Sequence, residues 1–284
     1  MKDDQIITRR RALLAGAVAL GAAGVAGAVG VLVPDTVEEP VGPVAGAAGA
    51  PARRLASKPS VYRLEPLTGY GVPRAAPRRT LVRHEPLLRM SGRGRTMVLT
   101  FDDGPDPRYT PGILNTLRRY DVRAMFFVCG EMAVANKDLL ARMADEGHIV
   151  GNHTWTHPLL TRLTRSRIRS EMERTCDVIE DAYGERPLWF RAPYGAWNRA
   201  AFQLGAELGM DPLAWTVDSR DWTEPVPGTR TIVDRVESGA APGVVVLSHD
   251  AGGDRSHTVQ ALRDYLPRLL DSGYHITVPR RQYA

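Results

Sequence analysis

From residue 95 onward, apolar runs of five or six residues alternate with segments whose apolar positions recur at helical spacing. Residues 96–101, 124–129, 148–152, 188–192, 212–216, 244–249 and 275–278 read as seven buried strands. Between them, residues 113–120, 137–146, 168–183, 199–208, 232–238 and 259–271 read as amphipathic helices. Several are followed by the glycine that ends a helix, at Gly147, Gly184, Gly209 and Gly273. Strands alternating with helices predict a parallel α/β architecture. An open doubly wound sheet and a closed barrel both fit, although no strand is followed by a dinucleotide-type glycine fingerprint, which counts against the first.

The pattern before residue 95 is different. An uncharged Ala/Gly/Val/Leu run from Ala12 to Val33 follows a charged start and ends at Pro34-Asp35. Residues 1–33 therefore read as a targeting segment. The string Thr8-Arg9-Arg10-Arg11-Ala12-Leu13-Leu14 resembles a twin-arginine export signal, so the protein is expected outside the cytoplasm, in the medium, the wall or on the outer membrane face. The apolar run is long enough to cross a bilayer, so an uncleaved anchor at 12–33 competes with a cleaved signal. Residues 34–94 contain nine prolines and no sustained period, which reads as an extended linker that leaves 95–284 as the folded domain.

Charge sharpens this division. The 284 residues carry a formal charge of +5, but residues 1–94 hold 14 Lys/Arg against 7 Asp/Glu, while 95–284 hold 23 against 25. The domain has no basic field for a polyanion, so nucleic acid is not an expected partner. Hydrophobic content of 43% with 24% charged residues excludes a disordered or polytopic membrane chain. Two cysteines, Cys129 and Cys176, are too few for a disulfide framework, and buried thiols are preferred to a bridge.

Unusual polar residues gather where strands end. The first strand runs into Thr100-Phe101-Asp102-Asp103-Gly104-Pro105, the third into Asn152-His153-Thr154-Trp155-Thr156-His157-Pro158, and the fourth into Arg191-Ala192-Pro193-Tyr194-Gly195. Asp218-Ser219-Arg220-Asp221-Trp222 follows the fifth, and Leu247-Ser248-His249-Asp250 closes the sixth. Active sites of α/β folds collect on that face. His153 and His157 stand four apart, and two imidazoles with one carboxylate make a three-ligand metal site that leaves a position open for water. Of the adjacent acids, one could face the metal and the other its water.

TFDDGP, HTWTHP, RAPYG, DSRDW and LSHD resemble, in order, the five signature motifs of the polysaccharide deacetylases, carbohydrate esterase family 4 with its NodB-homology domain. The resemblance spans about Arg95 to Val278 and implies a distorted (β/α)7 barrel. It implies that Asp102 is the general base, that Asp103, His153 and His157 bind a divalent metal, zinc foremost with cobalt or another first-row ion as alternatives, and that Arg191 orients Asp102. It also implies an oxyanion contact from the Tyr194 backbone N–H, Asp221 charging the general acid His249, and Trp222 with Leu247 around the acetyl methyl. The expected reaction is removal of N-acetyl groups from chitin-like or peptidoglycan glycans by a monomer.

Three other readings share parts of this pattern. They are an esterase removing O-acetyl groups from xylan, a glycan-binding wall protein without activity, and an iron oxygenase with two histidines and one carboxylate. Retention of both Asp102 and His249 argues against the last two. His84, His148, His257 and His275 match no motif, and only His257, following Asp254-Arg255-Ser256, is a candidate for substrate contact.

Overall fold

A computed structural model of the chain describes residues 81–90 and 94–279. The expected export segment at 1–33 and most of the linker lie outside the described residues. The strands are β1 (Thr96–Asp102), β2 (Met125–Val128), β3 (Ile149–Asn152), β4 (Trp189–Phe190), β5 (Asp211–Pro212), β6 (Val217–Asp218), β7 (Val244–His249) and β8 (His275–Ile276). The helices are α1 (Thr110–Arg119), α2 (Gly130–Ala135), α3 (Lys137–Asp145), α4 (Arg165–Tyr183), α5 (Arg199–Glu207), α6 (Thr229–Ser238) and α7 (Ser256–Asp271).

All strand pairs are parallel, in the order β5-β4-β3-β2-β1-β7-β6, with β8 against the start of β1. Parallel strands need helical crossovers, which cover the sheet and bury the strands on both faces, as the apolar run in β1 and β7 anticipates. The sheet curls into the distorted (β/α)7 barrel of the expected class. Its outer face meets the helices through Met97, Leu99, Phe101, Phe126, Val128, Val244 and Val246, against Leu114 and Leu117 of α1, Ile232 of α6 and Leu262 of α7. Each such apolar side chain contributes roughly 1.5–3 kcal/mol on burial. The alternate residues Val98, Met125, Phe127 and Val245 fill the barrel interior with Leu213.

Two expectations change. The predicted strand at 212–216 is largely a crossing instead, with short strands at either side: β5 ends at Pro212 and β6 begins at Val217, because the chain passes there from one edge of the curled sheet to the other. The segment just ahead of residue 95 also makes contacts that its composition does not announce. Residues 87–90, read as linker, form a strap across that seam. The Leu87 N–H donates to Pro212 O at 2.9 Å, Ala214 N–H donates to Leu87 O at 2.8 Å, and Met90 N–H donates to Gly243 O at 3.0 Å. Leu87 and Met90 pack onto the interior cluster. Pro86 disfavours helix just before the strap, and an isolated four-residue run shows too little period to be read as structure. Cys129 and Cys176 remain buried thiols, with Cys129 Sγ facing His153 O and Cys176 Sγ beside Asn152 and Met210.

Candidate active site

Strand pleat decides what enters the barrel mouth. Val98, Thr100 and Asp102 share the inner face of β1, and their register partners on β7, Val245, Leu247 and His249, share it too. Asp102 and His249 are thus direct partners at the ends of two hydrogen-bonded strands, and Leu247 lies one pleat below His249. Asp103, the next residue, turns away with a left-handed backbone (φ 76°) while its N–H donates to Phe127 O at 3.2 Å. That turn is what lets two adjacent acids diverge.

Arg191 is fully buried beneath Asp102. Its Nη1 donates to Asp102 Oδ1 at 2.6 Å and to Thr100 Oγ1 at 2.8 Å. Nε and Nη2 donate to Leu213 O and Ala214 O, both at 3.0 Å, and the guanidinium lies 4.1 Å from the Phe127 ring centroid. All three guanidinium nitrogens donate, so the plane of the Asp102 carboxylate is set by a cation that is itself held in place. Burial pushes the Asp102 carboxyl up to about 6, against the pull of Arg191 and His249.

Asp103, His153 and His157 converge, with a donor atom of each within 4.8 Å of the others. His153 Nε2 lies 3.5 Å and His157 Nε2 3.3 Å from Asp103 Oδ1, and the two imidazole centroids are 4.9 Å apart. His153 Nδ1 is 2.8 Å from Arg191 O, an acceptor only, so Nδ1 carries the proton and Nε2 presents its lone pair to the cluster. Burial lowers His153 to about 4, which keeps the ring neutral as a ligand must be. An N2O donor set of this kind suits zinc and its first-row neighbours.

His249 is held from the other side. Its Nδ1 is 2.7 Å from Asp221 Oδ1, and its backbone N–H donates to Asp221 Oδ2 at 2.8 Å. Because a carboxylate only accepts, Nδ1 carries a proton and Nε2 points away from Asp221. Burial alone would lower the imidazole, but Asp221 overrides it and raises His249 to about 9. Two residues without a sequence signal complete this support. Thr258 Oγ1 donates to Asp221 Oδ2 at 2.8 Å, and buried Arg255 donates from Nη1 to Asp221 O at 2.7 Å.

The remaining candidates lie at the rim. Tyr194 (φ 61°) is 58% exposed and meets His157 edge-on at 4.6 Å, and Trp222 is 51% exposed with its indole N–H toward Asp218. His257 bonds Thr229 Oγ1 through Nδ1 at the starts of α6 and α7, outside the catalytic cluster. His148 is buried at the opposite end of β3, its Nδ1 accepting from the Ala124 N–H.

Comparison with known proteins agrees with the geometry. Residues 89–213 match the family model described as polysaccharide deacetylase. A chitooligosaccharide deacetylase of Rhizobium leguminosarum bv. trifolii is 36% identical over 210 residues, covering 70% of this chain and 97% of that protein. The peptidoglycan-N-acetylglucosamine deacetylase PgdA of Listeria monocytogenes is 37% identical over 67% of this chain, which spans only 39% of its length. A family 4 carbohydrate esterase from Streptomyces lividans, solved with acetate, superposes with a TM-score of 0.61 at 35% identity, covering 67% of this chain and 95% of that one.

Proposed function

The chain belongs to the polysaccharide deacetylase family, and from that premise we propose that it hydrolyses N-acetyl groups on an N-acetylglucosamine-type glycan outside the cytoplasm. Chitooligosaccharide and peptidoglycan are the leading substrates, since relatives named for each are similar to this chain over most of its barrel. The observation that carries the reading is the pairing of Asp102 with His249 across β1 and β7, one biased toward a base and the other toward an acid.

In this reading Asp103, His153 and His157 hold a divalent cation, which when bound acidifies water and polarises the acetamide carbonyl. Asp102, fixed by Arg191, accepts the proton of the attacking water as its oxygen bonds to the carbonyl carbon. The Tyr194 backbone N–H donates to the developing oxyanion, and Trp222 and Leu247 flank the acetyl methyl. His249 delivers its Nε2 proton to the nitrogen as the C–N bond breaks, so a free amine and acetate leave. Asp221 keeps that proton in place up to about pH 9, and Asp102 is ionised above about pH 6. Both groups are then in working form between those limits. The export segment at 1–33 fits an extracellular glycan substrate.

Acetate release from chitooligosaccharides, peptidoglycan and acetylated xylan, with and without chelator, tests the proposal. Release from an N-acetylated glycan that chelator abolishes and zinc or cobalt restores is expected. Release from xylan alone would replace it with O-acetyl esterase activity, and full activity in verified metal-free protein would sink the metal reading.

A further inference from the structure

The loop that carries both imidazoles has a demanding backbone. Thr154 (φ 69°) and His157 (φ 56°) are left-handed, a conformation unfavourable for a side-chain-bearing residue that persists only when its surroundings impose it. The constraint comes from three elements. Asn152 Oδ1 accepts from the Thr154 N–H at 2.9 Å, and the N–H groups of Gly130 and Glu131 at the start of α2 donate to Thr154 O and Trp155 O at 3.0 and 3.2 Å.

The third element is α4. Glu171 Oε2 accepts the N–H groups of both Trp155 and Thr156, at 2.9 and 2.8 Å, and Oε1 accepts from Thr156 Oγ1 at 3.1 Å. Nearly one turn later, the Arg174 guanidinium lies 3.9 Å over the Trp155 ring. Gly130 also abuts that ring, since a Cβ there would stand 2.2 Å from an indole carbon. Glu171 is not one of the converging ligands, yet all three of these hydrogen bonds go to the two residues next to each other between His153 and His157.

We infer that Glu171 is a positioning residue that fixes the spacing of His153 and His157 and thereby sets the affinity of the site for its divalent cation. The inference rests on the metal reading proposed above. A carboxylate is suited to the task because one oxygen takes two amide protons and the other a hydroxyl proton, all charge-assisted. Glutamine preserves the shape and one acceptor oxygen without the charge, and alanine leaves the two amides to water.

The full-length protein, stripped of metal, is titrated with zinc against a competing fluorescent chelator for wild type, Glu171→Gln and Glu171→Ala. Zinc affinity is expected to fall about 10- to 100-fold for alanine, the range for losing a group that orients ligands, and by a smaller factor for glutamine. At saturating zinc, kcat should return to near wild type. Alanine binding zinc within about threefold of wild type overturns the inference; if that variant does not fold, glutamine indistinguishable from wild type does so. A lowered unfolding temperature of the metal-free variant with zinc affinity unchanged also overturns it, since that is a purely structural role. Wild type that takes up no stoichiometric zinc sinks the metal reading itself.

Discussion

Replacing Asp221 by Asn removes one charge and keeps an acceptor oxygen, so it isolates what that charge does for His249. Moving an imidazole from its ordinary 6.5 to about 9 stabilises the cation by about 3 kcal/mol, at about 1.4 kcal/mol per tenfold change in proton affinity. That is the net of a burial penalty and a larger combined gain, chiefly from Asp221 and in smaller part from Asp103 and Asp102. With that charge gone, burial, the largest single influence on the ring, is opposed only by the weaker pull of Asp103 and Asp102, and the imidazole should titrate below 6.5. At pH 7.5 the wild-type acid is then about 97% protonated and the variant's at most about 10%, a tenfold difference in active form before any loss of orientation. The assay is kcat/KM for a chitooligosaccharide from pH 5.5 to 9.5, reported as the wild-type to variant ratio. The ratio should rise at least tenfold between pH 5.5 and 7.5 and flatten only as wild type loses its own proton near pH 9. A ratio constant across that range would show that Asp221 orients the ring without charging it.

Three further outcomes follow from the same geometry. His249→Ala should slow amide deacetylation by about 10² to 10⁴, and an activated aryl acetate far less, because only the amine must be protonated to leave; equal losses would move the proton donor elsewhere. Burial holds the Asp250 carboxyl up to about 7, so the folded chain keeps a proton there that the unfolded chain releases near 4. Its contribution is full below about pH 4 and lost as pH rises through about 7, so Asp250→Asn should flatten the urea midpoint between pH 5 and 8, recovering about 4 kcal/mol at the upper end; parallel pH curves for the two proteins would refute this. A chain starting at residue 95 should be about 3 kcal/mol less stable than one starting at 81, about 1 kcal/mol for each of the three backbone hydrogen bonds of the strap; equal denaturant midpoints would show that the strap is dispensable.

Much of the site was legible because its members are local to strand ends. Asp102, Asp103, His153, His157, Arg191 and His249 each follow an apolar run, and the fold brings together what those runs deliver to one mouth. The supporting groups were not legible, since Glu171 in α4 and Thr258 in α7 occupy ordinary helical positions whose meaning arises only from what lies across the barrel. α2 was missed because six residues cannot display a helical period. The division of 212–216 went unseen for a different reason: a chain leaving one sheet edge for another keeps the same apolar composition in both places.

The strap also bears on what the edge of the barrel offers to other chains. A sheet that curls without closing leaves backbone groups along its seam, and such a row is a template on which a second chain can add a strand. Here β6 pairs with β7 only at Val246 and Leu247, and the antiparallel bridge of Arg89 to Val244 takes over where β6 falls short. Leu87 does the same beside Pro212 and Ala214, while Arg83 pairs with Asp211 and Arg89 reaches Pro242 O along the same border. The segment just ahead of the barrel thus occupies the seam with the chain's own backbone and lines it with cations, which discourages edge-to-edge association in a protein otherwise built around one long parallel sheet.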